Sequence, residues 1–211
     1  MRYPVILIDN GHGKETPGKR SPDGRFREYS WTREIAERIC AELTARGYTA
    51  FRLVKEETDV SLVERVAREH SYCRTYGTRN VLLISAHNNA AGNGTQWMKA
   101  KGWSAYTTKG ITAADTLAKC LYEMAPIVFR GRTIRKYNGD LEPDFEENFY
   151  ILKHSYCPAV LTENFFQDNW DDVVYLTSET GKAACVKCHV EGIVNYIEKY
   201  WRLSNSNLSG I

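Results

Sequence analysis

The chain has 211 residues, and its 43% hydrophobic and 26% charged content is ordinary for a globular fold, which excludes disordered and fibrous classes. Its 28 Lys and Arg nearly balance 26 Asp and Glu, and a net charge of +2 lacks the electrostatic footprint of a nucleic-acid binder. No stretch approaches the ~18 apolar residues of a membrane span, and the apolar run within residues 1–9 is too short for a secretory signal. Export is therefore expected to rest on a leader removed from the chain or on release by lysis.

Residues 5–8 are a continuous apolar run that ends in Asp9-Asn10-Gly11, which predicts a buried strand feeding a turn. Residues 13–27 lack periodicity and carry the turn signals Pro17-Gly18 and Pro22-Asp23-Gly24, so they read as a functional loop. From Tyr29, the spacing of Trp31, Ile35, Ile39 and Leu43 predicts an amphipathic helix stopped by Arg46-Gly47. A strand over 48–54 follows. Ser61 and Glu64 have the form of a capping box and open a second helix, carrying Leu62, Val66 and Tyr72 and ending near Tyr76-Gly77.

Residues 81–84 form another continuous apolar run of strand length. Further on, 103–107 predicts a strand, 112–124 a helix, 149–152 and 159–162 two more strands, and 179–200 a closing helix. Residues 131–147 read as a short polar, acidic-ended loop, and 204–211 as a frayed polar tail. Strands alternating with helices argue for parallel pairing. The expected fold is α/β: a single three-layer domain over 1–203, with a twisted, mostly parallel sheet flanked by helices.

The six cysteines, at 40, 73, 120, 157, 185 and 188, are sparse in a chain large enough to build its own core, so they read as structural thiols. Cys185, Cys188 and His189 formally match a c-type haem attachment motif. Ala184, Cys185, Cys188, Gly192, Ile193, Tyr196, Ile197 and Tyr200 recur at helical spacing, however, which favours a packed helix.

Three polar residues follow apolar runs directly: His12 after the first strand, His87 after 81–86 and Glu163 after 159–162. In an open parallel sheet the carboxyl ends lie along one edge, where ligand sites gather. Glu28 precedes the first helix, and the loop from His12 can return it to that edge. His12, His87 and Glu28 then make the two-His, one-Glu set of hydrolytic zinc sites, with an open fourth position. Glu163 remains as the spare carboxylate that general acid–base chemistry needs. His70, His154 and His189 fall in helix-like or unpatterned runs and read as surface or packing residues.

The motifs on these segments are similar to those of the amidase-3 family of zinc-dependent N-acetylmuramoyl-L-alanine amidases, and the likeness runs nearly end to end. Asp9 to Gly13 resembles its D-x-G-H-G, and Glu28 its Glu before the first helix. Asp59, Leu62 and Arg65 resemble its D-x-x-L-x-x-R, and Ser85, His87 and Asn89 its S-x-H-x-N. Residues 148–152 resemble its aromatic-V-L segment, and 158–163 its P-A-V-L-x-E, with an Asn following at 169. The resemblance implies one Zn2+ per chain on His12, Glu28 and His87, with Glu163 catalytic. The implied reaction is hydrolysis of the amide between N-acetylmuramic acid and L-alanine of peptidoglycan, in the periplasm or cell wall. The expected partners are muramic acid and the stem peptide, taken by a monomer.

Asn10 departs from the family's usual Pro, and Asn164-Phe165-Phe166 from its Gly-Phe. Asn88, Asn89 and Asn164 are candidates for gripping the stem. The inserted helix that plugs the zinc in autoinhibited relatives has no counterpart in 131–147, so an open site is expected. One alternative is a zinc carboxypeptidase-like peptidase, which needs a cationic anchor such as Arg20, Arg25 or Arg135. Another is an inactive wall-binding module, which has no use for an open-site metal and a spare base.

Overall fold

The computed structural model describes residues 3–139 and 142–203. The elements in chain order are β1 (Val5–Asn10), α1 (Glu28–Ala45), β2 (Thr49–Arg52), α2 (Leu62–Tyr76), β3 (Val81–Asn89) and β4 (Ser104–Thr107). They continue with α3 (Ala113–Val128), β5 (Phe145–Glu146), α4 (Tyr150–His154), β6 (Ala159–Phe166), α5 (Trp170–Thr177) and α6 (Glu179–Tyr196). The strands form one sheet in the order β2-β1-β3-β6-β4-β5. All pairings are parallel except that of β4 with β6.

The continuous apolar runs are explained by burial on both faces, as parallel strands under helices require. Ile6, Ile8, Leu82, Ile84 and Val160 pack into a cluster with residues of α1, α3, α5 and α6. The alternate residues Val5, Leu7, Val81, Leu83, Ala159 and Leu161 pack against Val66 and Cys73 of α2 and Ile151 and Leu152 of α4. The result is the expected three-layer α/β domain. Cys185, Cys188 and His189 are fully buried in the larger layer, so the C-x-x-C-H run belongs to a packed helix.

Three expectations are corrected. Residues 149–152 do not form a strand: Tyr150–His154 is a short helix whose Ile151 and Leu152 cover the sheet beside α2. A short apolar run has no period that separates the two forms, and here the sheet face beneath it required cover. Residues 131–147 are more than a loop, since Phe145–Glu146 adds the sixth strand beside β4. The closing α-helix ends at Tyr196 and continues as a wider π turn over Ile197–Trp201. The tail over 204–211 lies outside the described residues.

Candidate metal centre

His12 follows β1 and has a φ of 59°, in the left-handed region that a side chain with a Cβ rarely adopts. Two buried guanidinium groups hold its carbonyl there: Arg33 Nη1 donates at 3.0 Å and Arg65 Nη2 at 3.2 Å. Arg65 Nη1 also donates to Asp9 Oδ1 at 2.7 Å and to the Asn10 carbonyl at 2.6 Å. The other Asp9 oxygen accepts from Ser85 Oγ at 2.6 Å. The motif residues Asp9, Arg65 and Ser85 thus brace the turn that presents His12.

Small residues fit at Gly11 and Gly13 because other groups press on them. A Cβ at Gly11 would lie 2.4 Å from His87 Nδ1, and one at Gly13 would lie 2.1 Å from the Asp59 backbone nitrogen. His87 therefore packs its ring directly over the β1 turn.

Glu28 opens α1 and is fully buried. Its Oε1 lies 3.2 Å from His87 Nδ1 and 3.5 Å from His12 Nε2. The same oxygen accepts from the Asn88 backbone N–H at 2.9 Å, and Oε2 accepts from Gln167 Nε2 at 3.0 Å. The two imidazole rings meet edge-on with centroids 4.9 Å apart. One donor atom from each of His12, Glu28 and His87 lies within 4.8 Å of the other two.

Glu163 pairs with His87 across the β3–β6 ladder, so the two side chains share one face of the sheet. Its Oε2 is buried without a hydrogen-bond partner among the described residues. Burial pushes its carboxyl up to about 8, with Glu28 adding to the rise and His87, Lys19 and Arg135 opposing it. Burial likewise pushes the His12 imidazole down to about 4. Burial would lower His87 too, but the hydrogen bond and charge of Glu28 raise it above its usual value. Glu28 is held below the usual carboxylate range, because the His87 hydrogen bond and the charges of His12, His87 and Lys19 outweigh its burial.

The structure therefore brings together all four residues singled out in the sequence. It places two others elsewhere. Asn88 and Asn164 lie on the opposite face of the sheet, 2% and 0% exposed, and Asn88 Nδ2 donates to the Asn164 carbonyl at 2.6 Å. They are internal braces, turned to the side of the sheet away from His87 and Glu163. Of the three arginines considered as carboxylate anchors, Arg135 acts on Glu163, while Arg25 is paired with Asp23 at 2.7 Å. Gln167 and Lys19 escaped the sequence reading. Gln167 lies four residues past Glu163 with no pattern to mark it, and Lys19 is one cation among several in the 13–27 loop.

Residues 6–195 match the family described as N-acetylmuramoyl-L-alanine amidase. N-acetylmuramoyl-L-alanine amidase AmiC of Neisseria meningitidis serogroup B is 25% identical over 93% of this chain and 53% of its own length. The endolysin of Bacillus phage SPP1 is 24% identical over 92% of this chain and 66% of its own length. The chain thus spans only part of these curated relatives. Among solved structures, an N-acetylmuramoyl-L-alanine amidase from Clostridium difficile 630 superposes with a TM-score of 0.79 at 21% identity, covering 95% of this chain and 100% of that one. The catalytic domain of CwlV from Bacillus (Paenibacillus) polymyxa superposes at 0.76 with 20% identity, covering 92% and 97%. With the family's pattern matched across nearly all of its folded length, the chain belongs to the N-acetylmuramoyl-L-alanine amidase family.

Proposed function

We propose that the chain hydrolyses the amide bond between N-acetylmuramic acid and L-alanine in bacterial peptidoglycan, using one Zn2+ held by His12, Glu28 and His87, with Glu163 as the proton-transfer group. The observation that carries this reading is the convergence of three ligand atoms within 4.8 Å beside a buried carboxylate oxygen that has no partner. The donor set suits zinc in a hydrolytic site, since two imidazoles and one carboxylate leave a position open. Second contacts suit it as well: the Asn88 N–H and Gln167 amide orient Glu28, as outer groups orient metal ligands. One chain supplies all four of these side chains, and the acting form we propose is a monomer. The proposed place of action is the periplasm or cell wall, and among the described residues no helix is long and apolar enough to cross a membrane.

Zinc at such a set supplies Lewis-acid polarisation of the scissile carbonyl and a lowered pKa for water. The protein's own part lies with Glu163, whose Oε2 accepts the proton of the attacking water and returns it to the departing alanine nitrogen. Burial suits Glu163 to the second half of that cycle, because a carboxyl raised to about 8 holds a proton near neutrality and can deliver it. Lys19 and Arg135 oppose that rise, and a cation held by His12, Glu28 and His87 would further favour the ionised form that accepts a proton.

Two variants test the assignment on the same preparations. His87→Ala is expected to lose both zinc and activity. Glu163→Gln is expected to keep zinc and release free stem peptides from purified peptidoglycan ~10²- to 10⁴-fold more slowly. A metal-free Glu163→Gln protein would reverse the roles, and mass spectra showing only trimmed stems would replace the amidase reading with a peptidase.

A further inference from the structure

Further along the face of α2 that carries Arg65, a second group of ligand-type side chains converges. Glu69, Cys73 and Cys157 are all buried, and one donor atom of each lies within 4.8 Å of the others. Glu69 and Cys73 are four residues apart on α2, and so share a helix face. Cys157 comes from the turn just before β6. Cys73 Sγ donates to Glu69 Oε1 at 2.8 Å. The same oxygen accepts from the Cys157 backbone N–H at 3.1 Å, and Tyr156 N–H approaches both carboxylate oxygens, at 3.2 and 3.4 Å. The hydrogen bond from Cys73, burial and the Glu69 charge push the Cys157 thiol well above its usual value.

An imidazole stands at the rim. His70 Nε2 lies 3.5 Å from Glu69 Oε2 and 2.8 Å from the His154 carbonyl, and its ring stacks on exposed Tyr156 at 3.5 Å. Cys157 and Tyr156 also line a cavity of about 630 Å³, which gives a route from solvent to the group. Two thiols and one carboxylate within 4.8 Å form a three-ligand set for a borderline-soft cation, with the fourth tetrahedral position left to water or to His70 once it gives up the His154 carbonyl.

We propose that Glu69, Cys73 and Cys157, with His70 at the rim, form a second metal site for a divalent thiophilic cation of the Zn2+ class, which clamps α2 to the start of β6. Binding replaces the two thiol protons, released to solvent, with two sulfur–metal bonds, and no electrons change hands. The clamp joins the helix that carries Arg65 to the strand that carries Glu163.

Titration of the reduced full chain with Co2+ tests this, because a thiolate ligand gives a sulfur-to-cobalt charge-transfer band and a histidine–carboxylate site does not. The expected result is two equivalents bound, one of them with the band. Cys73→Ser and Cys157→Ser should each abolish the band and keep one equivalent, and His87→Ala should keep the band. Glu69→Gln retains both thiols, so if the serine variants fail to fold, it reads the site through a ~10-fold or greater loss of cobalt affinity. A wild-type chain with no band would overturn the proposal, as would a band that survives in both serine variants or an affinity that Glu69→Gln leaves unchanged.

Discussion

Replacing Arg65 with Met is expected to be among the most damaging single changes outside the ligands, and the reason is countable. Arg65 is 2% exposed and Asp9 1%, so the variant leaves a buried carboxylate with only the Ser85 hydroxyl for a partner. It also strips a donor from the carbonyls of Val60, Asn10 and His12. Breaking a buried ion pair from one side costs about 3–5 kcal/mol, and unsatisfied carbonyls add to that without being strictly additive. We expect a loss of about 4 kcal/mol, set against a total of about 5–15 kcal/mol for a typical domain. With a urea slope of about 3 kcal/mol/M, the unfolding midpoint should fall by more than ~1 M.

The same variant should weaken zinc binding, since only Arg33 is left to hold the His12 carbonyl in its left-handed turn. Adding Asp9→Asn should recover part of the lost stability, because the cost lies in the unpaired charge. If Arg65→Met does not fold, Arg65→Lys serves. One ammonium keeps the charge but cannot span the same set of acceptors, so an intermediate loss is expected. A midpoint shift under ~0.3 M, or a double variant with strictly additive loss, would refute the bracing argument.

Gly11→Ala should keep the fold at a cost of about 1–3 kcal/mol, yet push His87 aside and weaken zinc ~10- to 100-fold, measured by competition with a chelator. His189 is buried, with Nδ1 2.7 Å from the Cys185 carbonyl and Nε2 2.9 Å from Thr162 Oγ1, and burial pushes it down to about 4. The unfolded chain therefore takes up the proton first. Stability should be whole above pH ~6.5 and fall by up to about 3 kcal/mol toward pH ~4, and His189→Gln should flatten that slope in urea titrations. Burial raises Asp144 to about 6, so its ionisation costs stability progressively from its ordinary value of 3.8 upward and in full above about 6. Asp144→Asn should then raise the urea midpoint more at pH 7.5 than at pH 5.

The sheet centre was legible because β1, β3 and β6 are buried on both faces and read as unbroken apolar runs. The four site residues were legible because each adjoins such a run or the first helix. Facing was harder to read. His87 and Glu163 occupy paired positions on the α2 side, which sends Asn88 and Asn164 to the opposite face, and polarity alone does not reveal that alternation. The sequence does carry a signal for α5: Asn169 caps the helix by accepting from the Asp172 N–H at 3.1 Å, and two aspartates fill its first turn. No such signal exists for β5, whose two residues become a strand only because β4 lies beside them.

The substitution of Asn164-Phe165-Phe166 for the family's Gly-Phe shows how tertiary packing can stand in for a glycine. Beyond the His87–Glu163 pair the register slips, so that Asn89 pairs with Phe166 and β6 carries one extra residue. Phe165 sits in that stretch with a φ of 64°, a conformation that costs a bulky residue about 1–3 kcal/mol. Its ring is fully buried, in edge contact with Phe129 at 5.1 Å and Tyr175 at 5.3 Å. Burying a phenylalanine contributes about 1.5–3 kcal/mol, enough to offset the strain. The neighbouring Asn164 is locked as well, since its amide donates to the His87 carbonyl and to Thr162. The bulge that re-aims the chain just past Glu163 is thus held by side chains on the face away from the site, which leaves the Glu163 face free for chemistry.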